Sequence, residues 1–340
     1  MPVIKEGSVR VDLVGGTLDL EPINLILPNV VTLNVATGLK AKVRLEKNSL
    51  DGVEIISQDY NKTYRYYSSD FNQENLYSSD FFQEMTFICQ ILDLFEINSN
   101  LQVTLSSGAP AGSGLGGSSA MGVTLYSALC EFYGRAFDLN EAVLKVKATE
   151  GRILNQGIPG YQDYFPALAG GVLCIKGEAG KLVYEQLFTP QLKEWLESHV
   201  TLVYSGLSRD SGINNWEVYK GFFDKNPRIR AALTEIAKIS HQAYQALKKQ
   251  DYPELARLIS EEGEARRQLA PNIAPVGIEN LISKLSDQFS SLGFKMCGAG
   301  GGGCFILTHK PKDQAKIKEL VQNFGMEILD FCVDDPIQYP

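Results

Sequence analysis

The stretch P-A-G-S-G-L-G-G-S-S-A, Pro110 to Ala120, holds four glycines and three serines in eleven positions and runs straight into the apolar segment Met121 to Tyr133. Glycine lets successive amides turn inward with no Cβ in the way, which builds a concave nest of N–H donors. A helix starting near Ser118 adds its own unpaired amides and the positive end of its dipole. Such a nest suits a phosphate group; the alternative reading is a flexible turn. No G-K-[ST] follows the glycines, so the loop is not of Walker A type, and G-x-G-x-x-G matches only loosely around Gly112, Gly114 and Gly117. Upstream, Leu101 to Leu105 alternates as a strand that delivers the chain into the loop.

Outward from the loop, the N-terminal part reads as strands at Val9–Leu13, Val30–Ala36, Leu39–Leu45 and Val53–Ser57. Asn61–Asn75 is polar and aromatic, a strand edge or a long loop, and Phe82–Phe95 has helical periodicity. Helices follow at Met121–Tyr133 and Leu139–Leu154, and a β-pair at Gly170–Ile175 and Val183–Tyr184 turns at Gly177–Gly180. After a strand at Val200–Tyr204, helices are predicted over Ile229–Lys249, Tyr252–Ala270 and Pro275–Leu292. Strands Phe294–Cys297 and Cys304–Thr308, a helix Asp313–Phe324 and a strand Glu327–Val333 complete the chain. Strands interleaved with helices suggest an α/β sandwich. The 340 residues exceed one comfortable core, so two domains are expected, 1–190 and 191–340, with the boundary near Glu185–His199.

The composition is that of a globular protein, 44% hydrophobic and 21% charged, and the net charge of -8 argues against nucleic acid as the main partner. No apolar run is long enough to cross a membrane, and M-P-V-I-K-E-G-S lacks a signal-peptide core, so a cytoplasmic protein with no membrane partner is expected. Cys89, Cys130, Cys174, Cys297 and Cys304 sit in apolar or glycine-rich settings and read as reduced core thiols. His199, His241 and His309 lie too far apart for a zinc spacing.

Three further segments carry chemistry. K-M-C-G-A-G-G-G-G-C, Lys295 to Cys304, spends five glycines in six positions, either on a tight hairpin or where backbone must approach a ligand or another glycine loop. G-I-P-G-Y-Q-D-Y-F-P-A-L-A-G-G, Gly157 to Gly171, sets Asp163 among aromatics after the helix that bears Glu150. A carboxylate there must be paired if buried and could take or orient a hydroxyl proton; a turn carboxylate is the plain alternative. V-R-V-D-L-V-G-G-T-L-D-L, Val9 to Leu20, puts Arg10 and Asp12 on one face of a strand. Arg10 offers a fork for phosphate or for a carboxylate such as Asp163, unless that face is merely solvated.

V-R-V-D-L-V-G-G-T-L-D near the start, P-A-G-S-G-L-G-G-S-S-A in the first third and C-G-A-G-G-G-G-C near the end resemble, in that order along nearly the whole chain, the first, second and third motifs of the GHMP kinases. The resemblance implies a two-domain α+β fold: an N-terminal domain of ribosomal-protein-S5 type and a ferredoxin-like C-terminal domain, with ATP across the junction. It places the ATP phosphates on Pro110, Gly112, Ser113, Gly114, Leu115, Gly116, Gly117, Ser118 and Ser119, and Mg²⁺ on Ser118 and Glu150. Asp163 falls on the central aspartate, with Arg10 beside it as the second catalytic residue. Asp19, Gly16, Gln162, Gly300 and Gly301 are assigned to the acceptor.

Within the family, Arg10, G-Y-Q-D-Y at Gly160–Tyr164 and Y-S-G-L-S-R-D-S-G at Tyr204–Gly212 are closest to the sugar-1-kinase branch, which contains D-glycero-D-manno-heptose 7-phosphate kinase and L-fucokinase. Arg209 would then clamp a distal phosphate. Gly16-Thr17-Leu18-Asp19 departs from the usual Gly-(Gly/Trp)-Thr-Asp, and a Gly-Gly pair common before the second strand is missing; both changes touch the acceptor side. The implied activity is in-line transfer of the ATP γ-phosphoryl group to a hydroxyl of a sugar or sugar phosphate, by a monomer or homodimer. Mevalonate kinase or L-fucokinase activity is the alternative within the family, and a dinucleotide-dependent oxidoreductase the alternative outside it.

Overall fold

The computed structural model describes residues 1–78, 80–154, 159–178, 181–208 and 211–338. Its first sheet contains β1 (Val3–Val14), β2 (Val31–Lys47), β3 (Gly52–Ser57), β4 (Lys62–Tyr67), β5 (Leu101–Ser106), β6 (Val172–Glu178) and β7 (Lys181–Gln186). The order is β4-β3-β5-β2-β6-β7 with β1 also on β2, antiparallel throughout except for β3 beside β5. The second sheet contains β8 (Val200–Tyr204), β9 (Gly293–Met296), β10 (Cys304–Thr308) and β11 (Glu327–Leu329), all antiparallel in the order β11-β8-β10-β9.

The helices are α1 (Ile23–Ile26), α2 (Gln73–Tyr77), α3 (Thr86–Asp93), α4 (Gly117–Phe132), α5 (Leu139–Leu154), α6 (Phe165–Ala169), α7 (Pro190–His199), α8 (Ser211–Phe223), α9 (Pro227–Lys248), α10 (Tyr252–Arg266), α11 (Val276–Ser286) and α12 (Gln314–Asn323). This is a two-domain α+β fold rather than an α/β sandwich, because the sheets are mostly antiparallel. The second sheet, with helices between β8 and β9 and between β10 and β11, has the ferredoxin-like strand order 4-1-3-2. The chain leaves the first sheet at Gln186 and enters the second at Val200.

Two strands expected at Val30–Ala36 and Leu39–Leu45 are one, β2. The interruption is a bulge opposite β1, where the register shifts between Ser8 and Arg10. On its other edge β2 changes partner there, from β6 to β5. The chain's last segment fills the gap: Thr37 bridges Val333, and the Gly38 amide donates to the Cys332 carbonyl at 2.9 Å. That contact explains why regular strand structure ends at Leu329 and not at Val333.

Six elements escaped the sequence reading: the short helices α1, α2 and α6, and three longer or more consequential ones. β4 pairs with β3 inside the stretch read as edge or loop. α7 starts with a Thr189 cap that accepts from the Leu192 amide (3.1 Å) and Pro190 at its first position, a signal present in the sequence. α8 begins inside Y-S-G-L-S-R-D-S-G, a run that reads as loop. Residues 179–180 of the expected Gly177–Gly180 turn lie outside the described residues. No helix among the described residues is long and apolar enough to cross a membrane.

β1 is the strand on which the two halves meet. Its first residues alternate in exposure, but from Gly7 to Val14 every position is buried. α4 and α6 pack against it, and so do α9 and α10 from the C-terminal half. The face that carries Arg10 and Asp12 is therefore covered, not solvated. A separate apolar cluster also joins the halves, with Leu18, Leu20, Ile23 and Val30 against Val218, Phe222, Leu233, Ile236 and Leu269.

Candidate active site

β5 leads into the glycine loop and α4 leads out of it, as the sequence indicated. Gly116 caps α4 in the left-handed region at φ 74°, and a Cβ built on it would lie 3.1 Å from the Asp163 side chain. Only glycine combines that backbone with that neighbour. Among the described residues the amides of Gly114, Gly116, Gly117 and Ser118 have no acceptor, so they stand as open donors at the start of a sixteen-residue helix.

The third glycine segment packs directly on this loop. The Cys304 amide donates to the Ser113 carbonyl at 2.6 Å, and a Cβ on Gly303 (φ 75°) would sit 2.5 Å from that same oxygen. The glycines thus serve a loop-on-loop contact between the two halves.

A cleft of about 660 Å³ opens over the loop. Arg10, Asp19, Glu150, Gln162, Asp163 and all the expected phosphate-loop residues except Leu115 line it. Leu115 turns its side chain into the core, and its carbonyl accepts from the Arg10 amide at 2.9 Å. Gly16, Gly300 and Gly301 also lie off the cleft wall. Gly16 faces Asp12 and Arg266, where a Cβ would come within 2.7 Å of Asp12 Oδ2, and its carbonyl accepts from Arg266 Nη2 at 2.7 Å. Gly300 and Gly301 back onto Ile273. Gly298 and Ala299 are the third-segment residues that reach the cleft. Arg209 lies outside the described residues.

Arg10 holds Asp163. Its Nε and Nη2 both lie 2.6 Å from Asp163 Oδ1, and its Nη1 donates to the Gly114 carbonyl at 2.6 Å. One guanidinium therefore ties the aspartate to the phosphate loop. Arg10 is almost fully buried; burial disfavours its charge, but Asp163 and Asp12 outweigh that and keep it protonated. Asp163 remains partly open to the cleft, with a side chain 24% exposed.

Asp19 is buried, accepts from the Gln162 amide at 2.9 Å through Oδ2, and leaves Oδ1 without a partner. Burial, with the nearby Asp163 charge, pushes its carboxyl up to about 6 against the pull of the Gln162 amide. Gln162 Oε1 is a second orphaned acceptor in the same wall. Unpaired oxygens on two residues of the cleft wall are suited to take hydroxyl donors from a ligand.

Glu150 accepts from the Ser119 hydroxyl and the Tyr164 hydroxyl, each at 2.7 Å. Burial raises its proton affinity while bonds from Tyr164, Ser119 and Ser118 oppose the rise. Ser118 itself is exposed to the cleft. Among the described residues no group of three or more His, Cys, Asp or Glu could hold a metal alone. Glu150 and Ser118 suit a Mg²⁺ ion that draws its other ligands from phosphate and water, as that ion commonly does.

Two features were missed from sequence. One is an apolar arm of the cleft, formed by Met85, Phe87, Ile88 and Leu105 with Tyr60. The other is a buried chain of alternating charge behind Arg10: Asp12, Lys295, Glu262 and Arg266. A signal for the last two existed, because Glu262 and Arg266 fall on the stripe Leu255, Leu258, Ile259 that α10 turns inward.

The fold and this cleft define a two-domain architecture in which the C-terminal half packs onto the glycine loop of the N-terminal half. The GHMP kinases N terminal domain matches residues 85–171 and the GHMP kinases C terminal domain matches residues 243–325. The chain belongs to the GHMP kinase family. L-fucokinase/L-fucose-1-P guanylyltransferase of Bacteroides fragilis is 26% identical over an alignment covering 92% of this chain and 35% of that protein. The chain thus spans about a third of the length of that curated relative. D-glycero-alpha-D-manno-heptose 7-phosphate kinase of Campylobacter jejuni is 25% identical, covering 93% of this chain and 92% of the relative. The mevalonate kinase structure of Methanococcus jannaschii superposes with a TM-score of 0.76 at 19% identity over 98% of this chain and 99% of its own.

Proposed function

We propose that this chain is an ATP- and Mg²⁺-dependent kinase that phosphorylates a hydroxyl of a small polyhydroxy molecule, the anomeric hydroxyl of a sugar or sugar phosphate such as D-glycero-D-manno-heptose 7-phosphate. The observation that carries the reading is Asp163, fixed by Arg10 against Gly116 at the head of a helix with open amides. When bound, ATP supplies the phosphoryl group and Mg²⁺ neutralises its oxygens. The open amides from Gly114 to Ser118 would hold the phosphates and oppose charge on the leaving group. Ser118 and Glu150 would hold the metal, and Met85, Phe87 and Ile88 offer an apolar wall for the base.

Asp163 would accept or orient the acceptor's proton, and Arg10 holds it in place. An anomeric hydroxyl is more acidic than an ordinary alcohol, so a carboxylate suffices as its base. Asp19 Oδ1 and Gln162 Oε1 would receive other hydroxyls of the acceptor. A second reading, an uncharged sugar, is favoured by the absence of any cation but Arg10 among the described residues of the cleft wall, and Arg10 is engaged with Asp163. The relatives named a fucokinase and a heptose 7-phosphate kinase point to the same two candidates.

ADP release against L-fucose, the heptose 7-phosphate and mevalonate separates the choices. Turnover with heptose phosphate and not with fucose supports the first reading, and the reverse supports the second. A rise in melting temperature with NAD and none with Mg·ATP would overturn both and favour the oxidoreductase.

A further inference from the structure

Behind the cleft six charged side chains alternate in sign: Asp163, Arg10, Asp12, Lys295, Glu262 and Arg266. Arg10 Nη1 lies 3.4 Å from Asp12 Oδ1, and the other Asp12 oxygen pairs with the Lys295 ammonium. Lys295 lies 3.8 Å from Glu262, whose oxygens pair with Arg266 at 2.6 and 3.3 Å. Asp12, Lys295 and Glu262 are wholly buried and Arg266 and Arg10 nearly so. Asp12, Arg10 and Asp163 come from the N-terminal half; Lys295 on β9 and Glu262 and Arg266 on α10 come from the C-terminal half.

Arg10 thus stands between two carboxylates. It makes two close contacts with Asp163 and one long contact with Asp12. A guanidinium between two carboxylates is attracted more strongly to the one whose charge is less compensated by other partners. Asp12 is neutralised by Lys295 and by the Gly298 amide, which donates to Oδ1 at 2.9 Å. Its carboxyl is held well below the usual carboxylate range; burial opposes this, but Lys295 first, then Arg10 and Arg266, prevail.

We infer that Lys295 is a positioning residue contributed by the C-terminal half: by satisfying Asp12 it leaves the Arg10 fork to Asp163 and so sets the carboxylate that faces the acceptor. The inference rests on the kinase reading for its effect on rate, but not for its effect on geometry. Without Lys295, Asp12 would draw Arg10 away and Asp163 would lose both its anchor and its place beside Gly116. Displacement of a reacting group by about 1 Å can cost on the order of 10²-fold in rate.

The test compares Lys295→Met with the double variant Lys295→Met/Asp12→Asn, which removes the competing carboxylate as well. Three measurements are made per folded molecule: kcat, the Kd of a non-hydrolysable ATP analogue, and the Arg10–Asp163 contact in a crystal structure. Lys295→Met is expected to lose more than about tenfold in kcat, with analogue affinity within about threefold of wild type and Arg10 moved onto Asp12. The double variant is expected to return kcat to within about tenfold of wild type and Arg10 to Asp163.

A Lys295→Met enzyme that keeps both wild-type kcat and the Arg10–Asp163 contact overturns the inference. So does a double variant that recovers neither. Should Lys295→Met not fold, the double variant decides alone: kcat within about tenfold of wild type with the contact intact supports the inference, and a larger loss overturns it. If the wild-type protein phosphorylates no acceptor, the kinase reading fails by itself, and the position of Arg10 in the two variants still settles the role of Lys295.

Discussion

Replacing Asp19 with asparagine is expected to make the protein more stable and less able to bind its acceptor. The carboxyl is 3% exposed, one oxygen has no partner, and its proton affinity is lifted from an ordinary 3.8 to about 6. The folded chain therefore holds this proton more tightly than the unfolded chain. Its contribution to stability is full below about pH 4 and is lost as pH rises through about 6. At roughly 1.4 kcal/mol per pH unit, the loss reaches about 3 kcal/mol at pH 7.5 and about half of that at pH 5. Asparagine stays neutral throughout and keeps an oxygen for the Gln162 amide.

Differential scanning calorimetry at pH 7.5 should show Asp19→Asn melting higher by roughly 3–8 °C, from 1–3 kcal/mol at the response usual for domains of this size. The increment should fall to about half at pH 5. Acceptor KM should rise on the order of 10–100-fold, the usual scale for losing a hydrogen bond to a charged group. A variant that melts at or below wild type at pH 7.5, or whose advantage does not shrink at pH 5, would show that Asp19 is satisfied in the folded chain and refute the reasoning.

Asp163→Asn should lower kcat by roughly 10²–10⁴-fold with nucleotide affinity unchanged, whereas a turn carboxylate would lower the melting temperature and leave kcat per folded molecule normal. Ser118→Ala should weaken the use of Mg·ATP with little change in melting temperature; activity equal to wild type across a Mg²⁺ titration removes Ser118 from the metal site. Gly303→Ala places a Cβ 2.5 Å from the Ser113 carbonyl at φ 75°, so about 1–3 kcal/mol of stability and part of the ATP affinity should be lost together. Isothermal titration with an ATP analogue checks this, and unchanged affinity would separate the loop contact from nucleotide binding.

The glycine loop and the helix it starts were legible because glycines, serines and the apolar helix are consecutive in the chain. Arg10 with Asp163 was legible as a pairing of types, a carboxylate set among aromatics that would need a cation if covered and a guanidinium on an otherwise apolar strand. What the sequence hid was which charges face inward from separate elements. E-E-G-E-A-R-R on α10 looks like a solvated run, yet Glu262 and Arg266 are buried while Glu261 and Glu264 are exposed. Whether the face bearing Arg10 and Asp12 was solvated or covered stayed open because nothing in β1 tells that α10 and β9 will cover it. The glycine cluster after Lys295 was legible as a close approach, but its curl hands Gly298 and Ala299 to the cleft and Gly303 to the phosphate loop, which spacing alone does not order. α8 was invisible since its start carries loop-forming residues and its buried Val218 and Phe222 pack into a cluster shared by α9 and the Leu18–Ile23 segment of the other half.

Asp19 and the six-charge chain have a common physical meaning. A buried carboxylate with an unpaired oxygen destabilises the fold, and buried ion pairs recover little more than the desolvation they incur. Apolar side chains of similar volume would hold the same elements together at least as well. What such groups supply is direction. Three cations against three carboxylates leave the patch neutral, and the alternation fixes which oxygen each cation faces, from Arg266 at the far side through to Asp163 in the cleft. The cations of the C-terminal half complete the series that ends at Asp163 across the docking along β1. The same docking sets Gly303 against the Ser113 carbonyl of the phosphate loop. One interface thereby positions both the glycine loop and Asp163, and the buried charges lie along that interface.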